Sequence, residues 1–508
     1  MKRKFIAIFM FLLIADFASA REYAADIVIV GGGWSGLIAA VNAHQAEIST
    51  IVLEKAPVVG GQGPFTSGSA GAGHPLAIAN GGASPSQYYQ QYMEFRHYFA
   101  NPKLVKRLVY EMANSINWMQ SLGVKYVPVG FQQNTSLLLY PELGAGVIER
   151  FNKILRNSKY VKILVETRAT ELIQDSRGAV VGVRGVNADD EEIVVRAKYT
   201  IMATGGDVRK ESIDKKNPWM RGTEYKLFGN FNELRTGDGH DMCEAVGAQM
   251  DQYHGIDTEH AHPYGLEGTD YNLIRTDPRH QAMYIFGRLP YLWVNTRGER
   301  FADESNPFMF FQAHRLMAQG GIYYSVFNED VKQDVIKNGN PADGAISFVA
   351  IGQKLNKVDE AFDLGYKTNY VFKANTVEEL AKKTGIDPKA LRATVDRNNK
   401  FADQLMDDEL LKQHYYLKKM DRGPYYAVKM YHTIINMNGG AVSDENLQVR
   451  HKDGHLIPGL YVTGVMIGGL QSDTYPMPRV SGGTDTSFSI SAGRIIVDNI
   501  ARELGKKR

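Results

Sequence analysis

The run Asp26-Ile27-Val28-Ile29-Val30 is short, nearly unbroken in its β-branched character and bounded by glycines, the pattern of a strand buried on both faces of a parallel sheet. Gly31-Gly32-Gly33-Trp34-Ser35-Gly36 follows, then an apolar helix through Leu37, Ala40 and Val41. A second β-run, Ser49 to Leu53, ends on Glu54, so the opening order is βαβ. From Ser86 or Gln87 the chain turns helical and polar, continuing through Met112, Trp118 and Leu122, and between Val161 and Thr204 it becomes strand-like again. Asp189-Asp190-Glu191-Glu192 reads as a solvated hairpin turn rather than a metal site.

From about His254 to Arg422 the texture changes to many His, Tyr and Asn with amphipathic helices. One starts at Thr376, where Thr376 and Glu379 make a capping box, and another at Asp387, with Pro388 at the first helical position. Gly459-Leu460-Tyr461-Val462-Thr463-Gly464 then restores the strand-into-glycine-turn pattern. The expected architecture is α/β, a Rossmann-like nucleotide-binding domain (21–253 and 423–508) interrupted by an inserted α+β cap (254–422).

Charge excludes some functions. With 58 Lys+Arg against 56 Asp+Glu the balance nearly cancels, and nothing suggests a nucleic-acid binder. Lys2-Arg3-Lys4, the apolar run Phe5 to Ala15 and the small residues Ala18-Ser19-Ala20 read as a signal peptide over 1–20, with a mature start near Arg21. The run is shorter than the roughly 20 residues that span a bilayer, and no twin-arginine pair is present, so export to the periplasm by the general secretory route is expected, with no membrane span after cleavage. The sole cysteine, Cys243, forms no internal disulfide and reads as a small buried hydrophobe. No Cys-x-x-Cys-His occurs, so the chain carries no c-type haem and electrons are expected from a separate partner.

Gly31, Gly33 and Gly36 stand between a strand and a helix, with the acidic Glu54 ending the next strand. Such glycines let the backbone close a tight turn and approach a pyrophosphate. The helix start favours its negative charge, and Glu54 can accept ribose hydroxyls.

Glu54-Lys55 followed by Gly60-Gly61-Gln62, the turn Ala203-Thr204-Gly205-Gly206, Thr236-Gly237-Asp238-Gly239 and Gly459 to Gly464 go beyond a generic dinucleotide unit. Together with Val294-Asn295-Thr296-Arg297-Gly298-Glu299-Arg300-Phe301-Ala302-Asp303-Glu304, they resemble the fumarate reductase and succinate dehydrogenase flavoprotein family, which also holds urocanate and acrylate-type reductases and 3-ketosteroid dehydrogenases. The resemblance spans nearly the whole mature chain. It implies FAD beneath a cap domain and hydride transfer between the flavin and a carbon next to a polarising group. It also implies FAD contacts from Gly31, Gly33, Ser35, Gly36, Glu54, Lys55, Gly61, Gln62, Gly63, Ser67, Gly68, Ala169, Thr204, Gly205, Asp238 and Gly464. Gly60 to Gly68 offers no histidine where the respiratory complexes attach their flavin, so non-covalent FAD is expected.

The departures concern substrate. Family fumarate reductases place an arginine proton donor four residues beyond the signature glutamate, where Phe308 stands here, and another about eight residues before the signature asparagine, where Gly287 stands beside Arg288. Their carboxylate-clamping histidine corresponds to Asn436 in Asn436-Met437-Asn438-Gly439-Gly440. Arg479-Val480-Ser481-Gly482-Gly483 is similar to the family's carboxylate-gripping arginine motif, and Tyr475-Pro476 to the ketosteroid dehydrogenases' keto-binding tyrosine. For the acid that protonates the second carbon, Tyr475 ranks first, then His432 and Arg479; His262 matches the family's His-Pro in the cap as a substrate ligand.

These residues lead to an exported FAD reductase that passes electrons from a separate donor, such as a cytochrome c, to the C=C bond of an α,β-unsaturated carboxylate, acrylate-like or larger rather than fumarate. The alternatives are a dehydrogenase that desaturates a ketone or ketosteroid, and a non-catalytic flavin electron-transfer module.

Overall fold

The computed structural model describes residues 20–128, 136–227, 234–252, 255–262 (main chain), 277–305, 315–342, 349–471 and 482–506. Among them, eight strands form a first sheet. Its parallel centre runs Leu456–Val462, Glu192–Met202, Arg21–Val30, Thr50–Leu53, Val161–Leu164, with Ile27 facing Thr50 on one side and Tyr199 on the other. Ile27, Val28 and Ile29 are fully buried, as befits a central strand covered on both faces. The helices Trp34–Gln45 and Thr484–Glu503 pack closely on each other, where a β-carbon at Gly493 would lie 2.9 Å from Ile38. Strands Val180–Asn187 and Glu192–Met202 are antiparallel and joined by the acidic turn, whose Asn187 N–H donates to Glu191 O at 3.1 Å.

The second sheet is organised by one strand. Tyr425–Asn438 is 14 residues long, about 45 Å at the usual rise, and pairs with Ile322–Asn328, Val371–Ala374, Gly255–His262 and Tyr225–Leu227. Its first half lies in an aromatic core, where Phe327 and Tyr426 stack with centroids 5.6 Å apart. Its second half reaches the first domain's glycine turns. The second sheet thus takes strands from both sides of 254–422, Tyr225–Leu227 before it and Tyr425–Asn438 after it.

The helix expected from Ser86 or Gln87 begins at Pro85, with Ser84 and Gln87 forming a reciprocal capping box. It stops at Phe95, and a new helix, Pro102–Ser121, starts behind the Asn101 cap; His97 and Tyr98 turn the chain between them at positive φ. At Thr376 the hydroxyl accepts from Glu379 N–H at 3.2 Å, but the Glu379 carboxylate takes the N–H of Asn375, one residue ahead of the cap. Asp387 caps Pro388–Gln404 as expected. No helix among the described residues is long and apolar enough to cross a membrane, and residues 1–19 of the expected leader lie outside the described set.

Candidate functional site

The glycine turn is fixed by crowding on one side and left open on the other. Gly31 adopts φ +103°, and a β-carbon there would meet the Ala203 carbonyl oxygen at 2.5 Å; one at Gly36 would lie 1.9 Å from the Gly31 carbonyl oxygen. At Gly33 and Gly205, by contrast, a β-carbon would have no heavy atom within 4 Å. Helix Trp34–Gln45 starts there with no side-chain cap and no acidic residue in its first turn, leaving its first N–H groups and positive dipole end to an external anion. An open cradle at an uncapped helix start fits the pyrophosphate of a dinucleotide.

Several of the other expected contact residues lie near this turn. The Glu54 carboxylate accepts from Gly32 N–H at 2.7 Å and from Ala56 N–H at 2.8 Å. Gly61 lies against Gly33, its β-carbon position 3.2 Å from the Gly33 Cα, while a β-carbon at Gly464, which adopts φ +74°, would lie 2.5 Å from the Ser35 hydroxyl. Gly63 gives way to Trp34 and Ile148, and Gly68 to the Leu138 carbonyl; Tyr140 N–H donates to Ser67 O at 2.9 Å. Thr204 packs on Gly239, where a β-carbon would lie 1.9 Å from its hydroxyl.

Beside them lies a charged cluster. Lys55 Nζ donates to Thr236 Oγ1 at 2.7 Å and Asp238 Oδ2 at 2.9 Å, and Arg168, next to Ala169, grips Asp238 through two bonds of 3.1 and 2.7 Å. Burial raises the Asp238 carboxyl, but the bonds from Arg168 and Lys55 outweigh it and hold it at about 2. Asp238 is therefore ionised across the physiological range. Asp238→Asn, which leaves two cations facing an amide, should weaken FAD binding by about tenfold (about 1.4 kcal/mol), measured by recovery of flavin fluorescence on dilution.

Of the residues expected to bind substrate, the structure brings Asn436 to the Gly205–Gly206 turn: a β-carbon at Gly206 would lie 2.4 Å from Asn436 Oδ1. Gln62 Nε2 donates to the neighbouring Ile435 carbonyl at 3.1 Å. Arg235, which the sequence reading missed although it immediately precedes the Thr236-Gly237-Asp238-Gly239 turn, donates to the same carbonyl and to Asn436 Oδ1, the latter at 3.3 Å. His432 lies on the same strand, fully buried and about 13 Å from Asn436 along it, with its N–H given to Gly321 O at 2.7 Å. Gly287 packs on Met430, its carbonyl accepts from Tyr323 OH at 2.9 Å, and the adjacent Arg288 guanidinium stacks 3.5 Å over the Tyr284 ring. Phe308, Tyr475 and Arg479 lie outside the described residues; of His262 the main chain is described, paired with Tyr431. Cys243 is buried, and burial raises its thiol to about 12, which makes it inert.

The signature around Asn295 serves the cap's interior. Arg300 Nη2 reaches Glu304 at 2.7 Å and Asp407 at 2.8 Å, and Lys412 Nζ lies 3.4 Å from Glu304; all four side chains have zero exposure. Glu304 also accepts from Trp293 N–H at 3.1 Å, and Lys412 donates to the Tyr291 carbonyl.

Comparisons with known proteins agree with this geometry. The family model described as "FAD binding domain" matches residues 26–479. A vinyl phenol reductase of Lactiplantibacillus plantarum is 28% identical over 94% of this chain and 96% of its own length. A fumarate reductase (cytochrome) of Shewanella frigidimarina is 26% identical over 96% of this chain and 79% of its own. The open conformation of a flavocytochrome c3 fumarate reductase shares the fold, with a TM-score of 0.71 at 22% identity over 94% of this chain and 78% of that one. The chain belongs to the FAD binding domain family and is an FAD-dependent oxidoreductase.

Proposed function

We propose that this protein reduces the C=C bond of an activated, oxygen-bearing substrate, an α,β-unsaturated carboxylate that is acrylate-like or larger rather than fumarate. The observation that carries the reading is the delivery of Asn436, 6% exposed, by a cap strand to the Gly205–Gly206 turn of the FAD-binding domain. Bound FAD, held without a covalent link, supplies the hydride. Asn436 donates to the conjugated oxygen as charge builds there, Arg479 grips a carboxylate, and Tyr475 protonates the second carbon. Electrons come from a separate c-type cytochrome in the periplasm, a reading supported by the leader-like first 20 residues and the lack of a haem-attachment motif in the sequence.

A second reading replaces the enoate by a vinyl-substituted phenol. It is favoured by the vinyl phenol reductase that matches nearly end to end and by Phe308, Gly287 and Asn436 standing where fumarate reductases keep arginine, arginine and histidine.

Anaerobic assay of the purified flavoprotein with reduced viologen against acrylate, larger enoates, fumarate and 4-vinylphenol separates the two. Turnover of enoates that falls at least 100-fold in Arg479→Ala supports the first; turnover of 4-vinylphenol insensitive to Arg479→Ala supports the second. Dye oxidation by none of them, with anaerobic bleaching of the oxidised flavin by a ketone, would establish a desaturase instead.

A further inference from the structure

Asn436 is more than nine-tenths buried, and its two amide atoms are treated differently. Oδ1 accepts from Met437 N–H at 3.0 Å and from Arg235 Nη1 at 3.3 Å, and it faces the Gly205–Gly206 turn. Among the described residues, Nδ2 makes no hydrogen bond. A carboxamide is close to symmetric in shape, so which edge faces the ligand is decided by its partners. Both partners here are donors. A flipped amide would place its NH2 against a guanidinium and a peptide N–H, with no acceptor for any of the three and a positive charge nearby. We infer that Arg235 is a positioning residue that holds the Asn436 carboxamide in one orientation, presents Nδ2 to the ligand as a donor, and so favours substrates that place an acceptor oxygen at that point.

The inference rests on the reductase reading and deepens it by naming the ligand group: a carboxylate, carbonyl or phenolate oxygen, each a stronger acceptor than a neutral hydroxyl. Arg235 acts at two points on one strand. By donating to the Ile435 carbonyl, as Gln62 also does, it fixes the strand's position; by donating to Asn436 Oδ1 it fixes the side chain's sense. The guanidinium behind the amide polarises it, so the outward N–H carries more positive charge than an ordinary carboxamide. Unlike a histidine at the same place, this donor keeps its protonation state across the physiological range.

The test uses the FAD-loaded protein with two independent readouts. Selective 15N-asparagine labelling reads the carboxamide without any substrate, and the side-chain signal pair missing from Asn436→Leu assigns Asn436. Arg235→Met should displace that pair and Arg235→Lys should displace it less; a pair that stays in place in Arg235→Met overturns the inference. Should Arg235→Met fail to load FAD, Arg235→Lys decides by the same criterion. In the viologen assay, with whichever of acrylate or 4-vinylphenol the wild type reduces, Arg235→Met should raise KM about tenfold with kcat within about twofold (a loss near 1.4 kcal/mol), and Arg235→Lys should restore most of it. An unchanged KM also overturns the inference. Failure of the wild type to reduce any member of the panel, larger enoates included, sinks the reductase reading alone, since the labelled amide still reports whether Arg235 orients Asn436.

Discussion

Replacing Gly33 by alanine is expected to leave the folded apoprotein almost untouched and to remove most of its hold on FAD. The backbone at Gly33 has φ −74°, which alanine adopts freely, and the added methyl group would meet nothing within 4 Å. The remaining cost to the apoprotein is that of a poorer helix cap, within about 1 kcal/mol. The methyl group would, however, stand in the space through which a pyrophosphate approaches the uncapped helix start. Displacing the phosphates weakens charge-assisted bonds of about 1.5–3 kcal/mol each, so FAD affinity should fall by about 100-fold or more, roughly 2.8 kcal/mol. Circular dichroism of the apoprotein and flavin fluorescence titration check the two halves separately. Gly36→Ala is the contrasting control: its methyl group would overlap the Gly31 carbonyl oxygen at 1.9 Å, so folding and FAD binding should fail together. Equal loss of apoprotein stability in both variants would mean that the Gly33 cradle is structural.

The second large effect lies in the cap. Lys412→Met should destabilise the protein by about 3–5 kcal/mol, because it leaves one cation, Arg300, against the two carboxylates of Glu304 and Asp407 in an interior without water contact. Removing Glu304 as well, as Lys412→Met/Glu304→Leu, restores balance around Arg300–Asp407 and should recover part of the loss, a non-additivity that calorimetry of the two single variants and the double variant reads directly. The same cluster sets an acid limit. Burial raises the Asp407 carboxyl, yet Arg300 outweighs burial and brings it from 3.8 to about 2. A carboxylate depressed in this way contributes stability above its unfolded value, about 2 kcal/mol here, and loses it as pH falls from near 4 towards 2. Asp407→Asn should therefore flatten the acid limb of the stability curve while lowering stability at neutral pH.

The dinucleotide turn was legible from the sequence because its determinants are local. Gly31, Gly36 and Glu54 are tied to one another by a single turn and a neighbouring strand, and the steric reason for each glycine holds in any chain that folds as βαβ. The helix cap Asp387, with Pro388 at the first helical position, was readable for the same reason, as the bond from Ala390 N–H to Asp387 spans three residues. The long strand Tyr425–Asn438 was not: its buried pattern is nearly continuous, and only its four neighbours from elsewhere in the chain make it a strand. The meeting of Arg235 with Asn436, 201 residues apart, and of Lys412 with Glu304 across the cap leaves no trace in spacing.

FAD binding was therefore settled by the sequence itself, through the glycine turn and the motifs around it. The tertiary structure decided the uses of that turn: that Gly33 stays open while Gly31 and Gly36 are closed, that the signature Arg300 and Glu304 belong to a buried ion cluster, and that Asn436 meets the Gly205–Gly206 turn through an Oδ1 bonded by Arg235. The physical reason is the range of the forces involved. Backbone sterics act between neighbours in the chain and are written in residue order, whereas the partners of a buried charge or amide are chosen by packing, which brings together residues that the sequence keeps apart.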